Sequence, residues 1–424
     1  MRLPFFYGWV IVALAWLIYG FGIAPAYFSW GFFAPEAIDE LGLSRREIGL
    51  VFGAFTFLYS ASSPLVGLAL LRFNLRTIIC AGSLLAATGF MLLSRAETLF
   101  DFLLAFSVCG GMGIGISTII PCQTLGSNWF IKSRARAIAI IMTAGGIVGS
   151  MMAPLDKWML DSIGWRSAWI VIGGISISTA VLAVLFVRDR PEDLGLGPDG
   201  DPPIDPVNEP AAPVHASVRN PQEWTAREAM RTPQFLLLIV CGVAYAVPWG
   251  VVAAHGRLHL EDLGFSTATV AGVFSISIGL SVVGRLSGAV GDFLAPHMVL
   301  GSALMLEAAG MGGFLIAETP AMAYASFALL GLGFGMAYIN VAVVFSSYFG
   351  RSAFAATAGV RIMITGVFNA IGPWLAGEAY DRFETYSGAF VVLIVVGFAG
   401  GVSAFLCRPP HRLESSLAVE QVST

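Results

Sequence analysis

Apolar segments roughly twenty residues long recur along this 424-residue chain, six of them before residue 190 and six after residue 232. About 20 apolar residues in a helix cross the ~30 Å hydrocarbon layer of a bilayer. Runs of this length are too long for ordinary strands. Lipid admits only helices or closed barrels, because every backbone polar group must be satisfied inside the protein. The expected spans are 8–34, 47–70, 75–94, 99–127, 134–155 and 165–187, then 234–256, 268–290, 297–317, 320–347, 354–378 and 386–407. The fold class that follows is an all-α membrane protein with twelve transmembrane helices in two six-helix bundles. The domains are 1–187 and 233–407, a linker at 188–232 and a tail at 408–424.

Charge agrees. Only 12% of residues are charged and 57% are hydrophobic, whereas soluble domains carry about a quarter charged residues. A net charge of −4 excludes nucleic acid as an expected partner. Cys80, Cys109, Cys122, Cys241 and Cys407 lie in or beside apolar segments at irregular spacing. They read as small core residues rather than as disulfides or a metal site. The run from Tyr7 to Ala34 is longer than the roughly 7–15 residues of a signal-peptide core, so it reads as a retained first span.

The segment between the bundles is of another kind. Pro191, Pro198, Pro202, Pro203, Pro206, Pro210, Pro213 and Pro221 accompany many acids there, marking a polar linker. Trp224–Met230 fits either a short helix lying on the membrane surface or an ordinary linker helix. An even number of spans places both termini on one side. Arg72, Arg76, Lys132, Arg134, Arg136, Arg188, Arg190, Arg351, Arg408 and Arg412 fall on that side, against Arg45, Arg46, Arg95, Lys157, Arg166, Arg257 and Arg382 opposite. The bias favours cytoplasmic termini, and an inner or plasma membrane is the expected location.

The two halves echo each other at an offset near 220. Glu40-Leu41-Gly42-Leu43-Ser44 matches Asp262-Leu263-Gly264-Phe265-Ser266, and Gly67 matches Gly288. Gly111, Gly113 and Gly115 match Gly331, Gly333 and Gly335; Trp129-Phe130 matches Tyr348-Phe349; Trp165, Ala168 and Trp169 match Tyr386, Ala389 and Phe390. With an even number of spans each, the halves form a parallel repeat about an axis along the membrane normal. Ser44 and Glu47 form a capping box opening the second helix. The glycine ladders read as close helix packing, not phosphate loops, since no strand precedes them. Pro25, with Gly20 and Gly22, corresponds to Pro248, with Gly242 and Gly250. Paired interruptions of this kind point to a transport site, or else to packing kinks.

With these features the chain resembles the major facilitator superfamily over everything but the linker and tail. That resemblance implies the major facilitator fold and alternating access. The superfamily's Gly-x-x-x-Asp loop signature is kept as Gly288 to Asp292 in the second half. In the first half Gly67 is followed by Leu71, without the acid, though Arg72 and Arg76 remain. Within the superfamily the chain is most similar to monocarboxylate transporters and oxalate/formate antiporters. Tyr7-Gly8-Trp9-Val10 resembles their first-helix opening, and Trp129-Phe130-Ile131-Lys132-Ser133-Arg134, running on to Ala144-Gly145, resembles their fifth-helix signature.

Two arginines lie inside expected spans. Arg285 is about seven residues from the end of the eighth, and Arg361 about eight residues into the eleventh. At ~1.5 Å per residue both stand roughly 10–12 Å deep, where an arginine costs about 2.5–3.5 kcal/mol on insertion scales. Their counterparts in the first half are Pro64 and Ile140, so the architecture does not demand them. Two inward cations suit an anionic substrate, which a guanidinium binds through a two-pronged contact. The competing reading is an arginine reaching to the membrane face or to helix carbonyls. The resemblance places Arg285 at the carboxylate-binding arginine of monocarboxylate transporters and Thr365 at the lysine of oxalate antiporters, one turn from Arg361. It also places Ser281 where proton-linked carriers have an acid, and Tyr27 where they have a lysine. Glu307 is the one acid expected deep in a span, either a proton carrier or a hydrogen-bonded structural group.

Tyr27, Tyr245, Gln123 and Asn340 fall on helices that line the cavity in the superfamily, where each orients substrate or serves packing. His255 and His259 flank Arg257 and read as a solvated helix end more than as a metal pair. No cofactor is expected. The partners are a small anionic substrate and the bilayer, and the resemblance implies a monomer. The sequence therefore points to a carrier of a small organic anion, a mono- or dicarboxylate. The alternatives are an efflux carrier for a hydrophobic compound and a transporter-like sensor. A membrane enzyme lacks any nucleophile, zinc or acid-cluster motif to support it.

Overall fold

The computed structural model describes residues 6–201, 225–287 and 294–410; the side chains of residues 134, 135, 226 and 350–359 lie outside the described set. Twelve spans are present. In the first half they are α1 (Gly8–Leu41), α2 (Arg45–Ala69), α3 (Leu75–Leu93), α4 (Leu99–Trp129), α5 (134–163) and α6 (165–186). In the second they are α7 (Pro233–Asp262), α8 (Thr267–Arg285), α9 (Pro296–Leu315), α10 (Pro320–Phe349), α11 (Val360–Phe383) and α12 (Ser387–Leu406). The described part of the linker adds two 3-10 turns, Pro191–Leu194 and Pro198–Gly200, and one short α-helix, Ala226–Met230.

Local sequence sets the corners. Ser44 accepts from the Glu47 amide at 3.2 Å, and Glu47 accepts from the Ser44 amide at 2.8 Å, so the expected capping box opens α2. Thr232, Ser266 and Thr319 cap α7, α8 and α10 by accepting the amides of Phe235, Thr269 and Met322, without the reciprocal bond. Two corners carry no loop. Residues 134–186 form one helical run that turns at Gly164 (φ 73°, ψ 162°), a left-handed conformation open to glycine at no steric cost. The α10 and α11 spans likewise belong to one run, Pro320–Phe383. The gaps expected at 156–164 and 348–353 are thus helical but for the turn at Gly164.

The breaks in helix geometry are not where the prolines stand. Pro25 and Pro248 are buried inside helices that continue through them. The interruption falls instead in α4, which is π-helical over Leu103–Gly111 and breaks at Thr118 (φ −108°, ψ −86°). The glycine ladders behave as expected. A Cβ on Gly111 would press 2.8 Å from the Phe55 carbonyl of α2, and one on Gly335 would collide with the Ser281 carbonyl of α8. Only hydrogen at those positions lets the backbones approach so closely.

The two sequence signatures meet at the end where both termini lie. Tyr7 packs on Trp129 and Trp9 on Phe130, with ring centroids 5.7 and 4.9 Å apart. Trp129 Nε1 donates to the Arg188 carbonyl at 2.9 Å. Asp199, at the start of the linker, accepts from the backbone amides of Ile131, Lys132 and Ser133. Asp201 hydrogen-bonds Lys132, raising the affinity of that exposed amine for its proton. Where the first half lacks the acid of the loop signature, Asp189 receives the amides of Leu75 and Arg76, and Arg72 stands exposed. Gly288, Asp292, Arg351 (side chain) and Arg412 lie outside the described residues, as do the linker prolines from Pro202 to Pro221.

Candidate functional site between the two halves

The halves are joined most firmly at the end away from the termini. Arg45, at the start of α2, makes a two-pronged pair with Asp262 at the end of α7, its Nη2 2.8 Å from Oδ1. The Arg45 guanidinium also lies 3.7 Å from the Tyr380 ring centre. Arg46 pairs with Glu378 at 3.3 Å, and its amide donates to Asp381 at 3.0 Å. Arg257, with 8% of its side chain exposed, leaves α7 to grip α1: it donates to the Phe32 carbonyl and pairs with Glu36 at 3.0 Å, while Glu261 holds its Nε at 2.8 Å. Among the described residues, every ion pair between the halves lies at this far end. Backbones touch there as well; a Cβ on Gly31, Gly49 or Gly53 would strike the carbonyls of Ala253, Pro373 or Ala370.

His255 and His259 belong to this closed end. His255 is fully buried, 2.8 Å from the Pro373 carbonyl and 3.2 Å from the Tyr386 hydroxyl. His259 lies against the rings of Phe314 and Phe390. The solvated helix end expected from the sequence is therefore corrected: both imidazoles are packed between elements. No group of metal-binding residues occurs among the described residues.

Between the ends, aromatic rings fill the middle. Trp249 stacks on Phe334 at 4.0 Å, and Tyr245 packs on Phe334 and edge-on to Tyr338. Tyr27 packs on Phe28, Phe52 and Phe55. A narrow gap between the halves is lined by Phe28, Trp249, Phe274, Ser277, Ile278 and Phe327.

The two arginines occupy different surroundings. The described helix α8 closes at Arg285, which puts that residue in the last turn rather than two turns inside. Its Nη1 donates across the boundary to the Met142 carbonyl of α5 at 2.9 Å, and its guanidinium stands 5.0 Å from the Tyr338 ring centre. Gln123 reaches the same methionine, with Nε2 3.5 Å from Sδ. Arg361 is 8% exposed and faces α7 at Gly242, whose absent Cβ would stand 3.8 Å from Nη1 and 2.8 Å from Thr365 Oγ1. Arg361 Nε and Nη1 and Thr365 Oγ1 are buried without a hydrogen-bond partner among the described residues. The one-turn spacing of Arg361 and Thr365 thus presents both on one face, as their sequence positions imply.

The remaining candidates divide. Ser281 spends its hydroxyl on the Ile278 carbonyl of its own helix. Asn340 donates to Ser287 and to the Met336 carbonyl, and its Oδ1 has no partner among the described residues. Glu307 is buried, but among the described residues neither carboxyl oxygen has a hydrogen-bond partner, in place of the expected hydrogen-bonded group. Sequence reasoning missed Asp156. It is fully buried on α5 and accepts from Ser29 of α1 at 2.7 Å. Its signal was a helix running past the expected end at 155, toward Gly164.

Two like six-helix bundles, clasped at one end by ion pairs and bridged by Arg285, mark a multi-pass membrane transporter. The comparisons place it further. The sequence model of the Major Facilitator Superfamily matches residues 9–353, and the chain belongs to that superfamily. It is similar to monocarboxylate transporter 13 of Bos taurus, 26% identical over 424 residues, covering 96% of this chain and 90% of the relative. Monocarboxylate transporter 3 of Rattus norvegicus is 23% identical over 422 residues, covering 95% and 81%. The fold is similar to a bacterial homolog of the human lysosomal transporter Spinster, in an inward-facing and unoccupied conformation, with TM-score 0.77, 17% identity and coverage of 96% and 98%. It is also similar to the nucleoside transporter NupG, with TM-score 0.72, 12% identity and coverage of 95% and 100%.

Proposed function

We propose that this transporter carries a small organic anion, a mono- or dicarboxylate, by alternating access. The observation that carries the reading is Arg361, a buried cation whose Nε and Nη1 lack partners among the described residues, beside an equally unpartnered Thr365 hydroxyl. A buried guanidinium left so is costly, and a carboxylate is the group whose two oxygens match its fork. Arg285 is the second cation; it exchanges the Met142 carbonyl for substrate as the halves move. Tyr245, Tyr27, Gln123 and the Trp249–Phe334 stack suit the apolar part of a partly apolar acid. Similarity to monocarboxylate transporters supports the same substrate class.

The ion pairs clustered at the far end support a conformation closed there. With cytoplasmic termini, as the arginine bias favours, that is the inward-facing state of a monomeric carrier in the inner or plasma membrane. Pro25 and Pro248 shape the two helices that rock, and Arg72, with Gly288 and Asp292 of the sequence signature, is assigned to gating.

Uptake by purified protein in liposomes tests this, using labelled pyruvate, oxalate and benzoate beside their uncharged amides. The acids move and the amides do not, and Arg361→Gln abolishes uptake in protein that folds normally. Transport indifferent to charge overturns the anion reading in favour of a hydrophobic efflux carrier. Binding without turnover points to a sensor.

A further inference from the structure

Asp156 is the acid that this reading leaves unused. It is fully buried, with Ser29 Oγ 2.7 Å from Oδ1 and no partner for Oδ2 among the described residues. An ionised carboxylate so enclosed, without a cation, is strongly disfavoured. The surroundings supply none. On α5 itself, Lys157 is held by Asp161 at 2.5 Å. From Thr267 to Gly284, α8 carries no charged residue. On α1, Glu36 is taken by Arg257 and Glu40 by Arg166. Arg76, the one charged residue of α3, lies at the terminal end, and Asp101 of α4 is engaged by Thr98. Glycine stands at the equivalent place in the second half, Gly377, so the repeat does not require an acid there.

Its position is also particular. Asp156 lies seven residues, two helical turns, beyond Gly149 and so on the same face. A Cβ on Gly149 would touch Phe28 of α1 and Ile278 of α8, two residues that line the gap between the halves. Ser29, its partner, is next to Phe28. Three residues further along α1 is Phe32, whose carbonyl Arg257 of the other half grips. The acid is thus seated behind the helix that the far-end clasp holds.

We propose that Asp156, with Ser29, is a proton-binding site whose proton travels with the substrate. Parting of the far end withdraws Arg257 from α1 and opens Asp156 to water, from which it takes a proton. Closure buries it again in the enclosed setting beside Ser29, where the neutral acid is favoured, and release to water on the terminal side completes the cycle. The cargo rests on the carboxylate reading above; the proton site does not.

Two measurements test it. In infrared difference spectra of the purified protein across a pH series, wild type shows a protonated-carboxyl band, shifted in heavy water. Asp156→Asn removes that band, Ser29→Ala moves its pH midpoint, and Glu307→Gln leaves it in place. Absence of any band assignable to Asp156 overturns the proposal, even where no carboxylate is transported. In liposomes, a pH gradient drives accumulation of labelled pyruvate by wild type, whereas Asp156→Asn exchanges pyruvate but accumulates none. Gradient-driven accumulation by Asp156→Asn at the wild-type level also overturns it. If Asp156→Asn does not fold, Asp156→Glu replaces it. Retained accumulation with a displaced pH optimum supports the site, and an unchanged pH profile overturns it.

Discussion

Arg45 of one half and Asp262 of the other form a two-pronged ion pair between the two corners that match in the internal repeat. Asp262 is the counterpart of Glu40, yet the two acids serve different ends. Glu40 binds Trp165 and Arg166 within its own half, whereas Asp262 reaches across. The same corner motif thus holds one bundle together in the first half and ties the bundles to each other in the second. Arg45→Ala is expected to shift the population toward far-end opening by about fivefold, the equivalent of about 1 kcal/mol for a partly exposed pair. Distance measurements between spin labels on the far ends of α2 and α7 read the shift. The exchange Arg45→Asp with Asp262→Arg restores the original distribution.

Arg361→Lys separates charge from shape. The ammonium keeps the positive charge but loses the planar fork. Uptake of oxalate is expected to fall at least about tenfold, some 1.4 kcal/mol. Wild-type uptake in Arg361→Lys would show that only charge matters at this position.

Gly335→Ala is expected to destabilise the second half by about 1–3 kcal/mol, because its methyl meets backbone at Ser281 and cannot displace it cheaply. Gly67→Ala, where a Cβ meets nothing within 4 Å, is the matched control and leaves stability unchanged. Thermal unfolding in detergent measures both.

Asp199→Ala removes the acceptor shared by the amides of Ile131, Lys132 and Ser133. Limited proteolysis is expected to cut between α4 and α5 faster than in wild type, with transport of pyruvate retained. Protection equal to wild type would mean that the Trp129 anchor alone secures this loop.

What the sequence made legible follows physical range. Ser44 and Glu47 act within one turn, so their capping box was readable from spacing alone. Gly335 was readable as a packing residue because an apolar helix has few other uses for a glycine ladder. Arg257 was not: in sequence it is a cation near a helix end, and only the fold reveals the Phe32 carbonyl and Glu36 brought to it. Asp156 was hidden for a local reason. Pro154, Lys157 and Asp161 make the stretch look like the start of a loop, while the backbone stays helical to Gly164. Arg285 and Arg361 look alike in sequence; which donors remain unpartnered depends on Met142 and Gly242, far away in the chain.

The turn at Gly164 has a mechanical consequence. A flexible loop would let α5 slide without disturbing its neighbour. A single residue between two helices leaves no slack, so the two helix ends stay together at Gly164. Any displacement of the outer end of α5 is then shared by α6, which packs on α3 through Thr179 and Ser83. The outer ends of α5 and α6 are thereby tied at one point, and Asp156 lies about two turns from that tie.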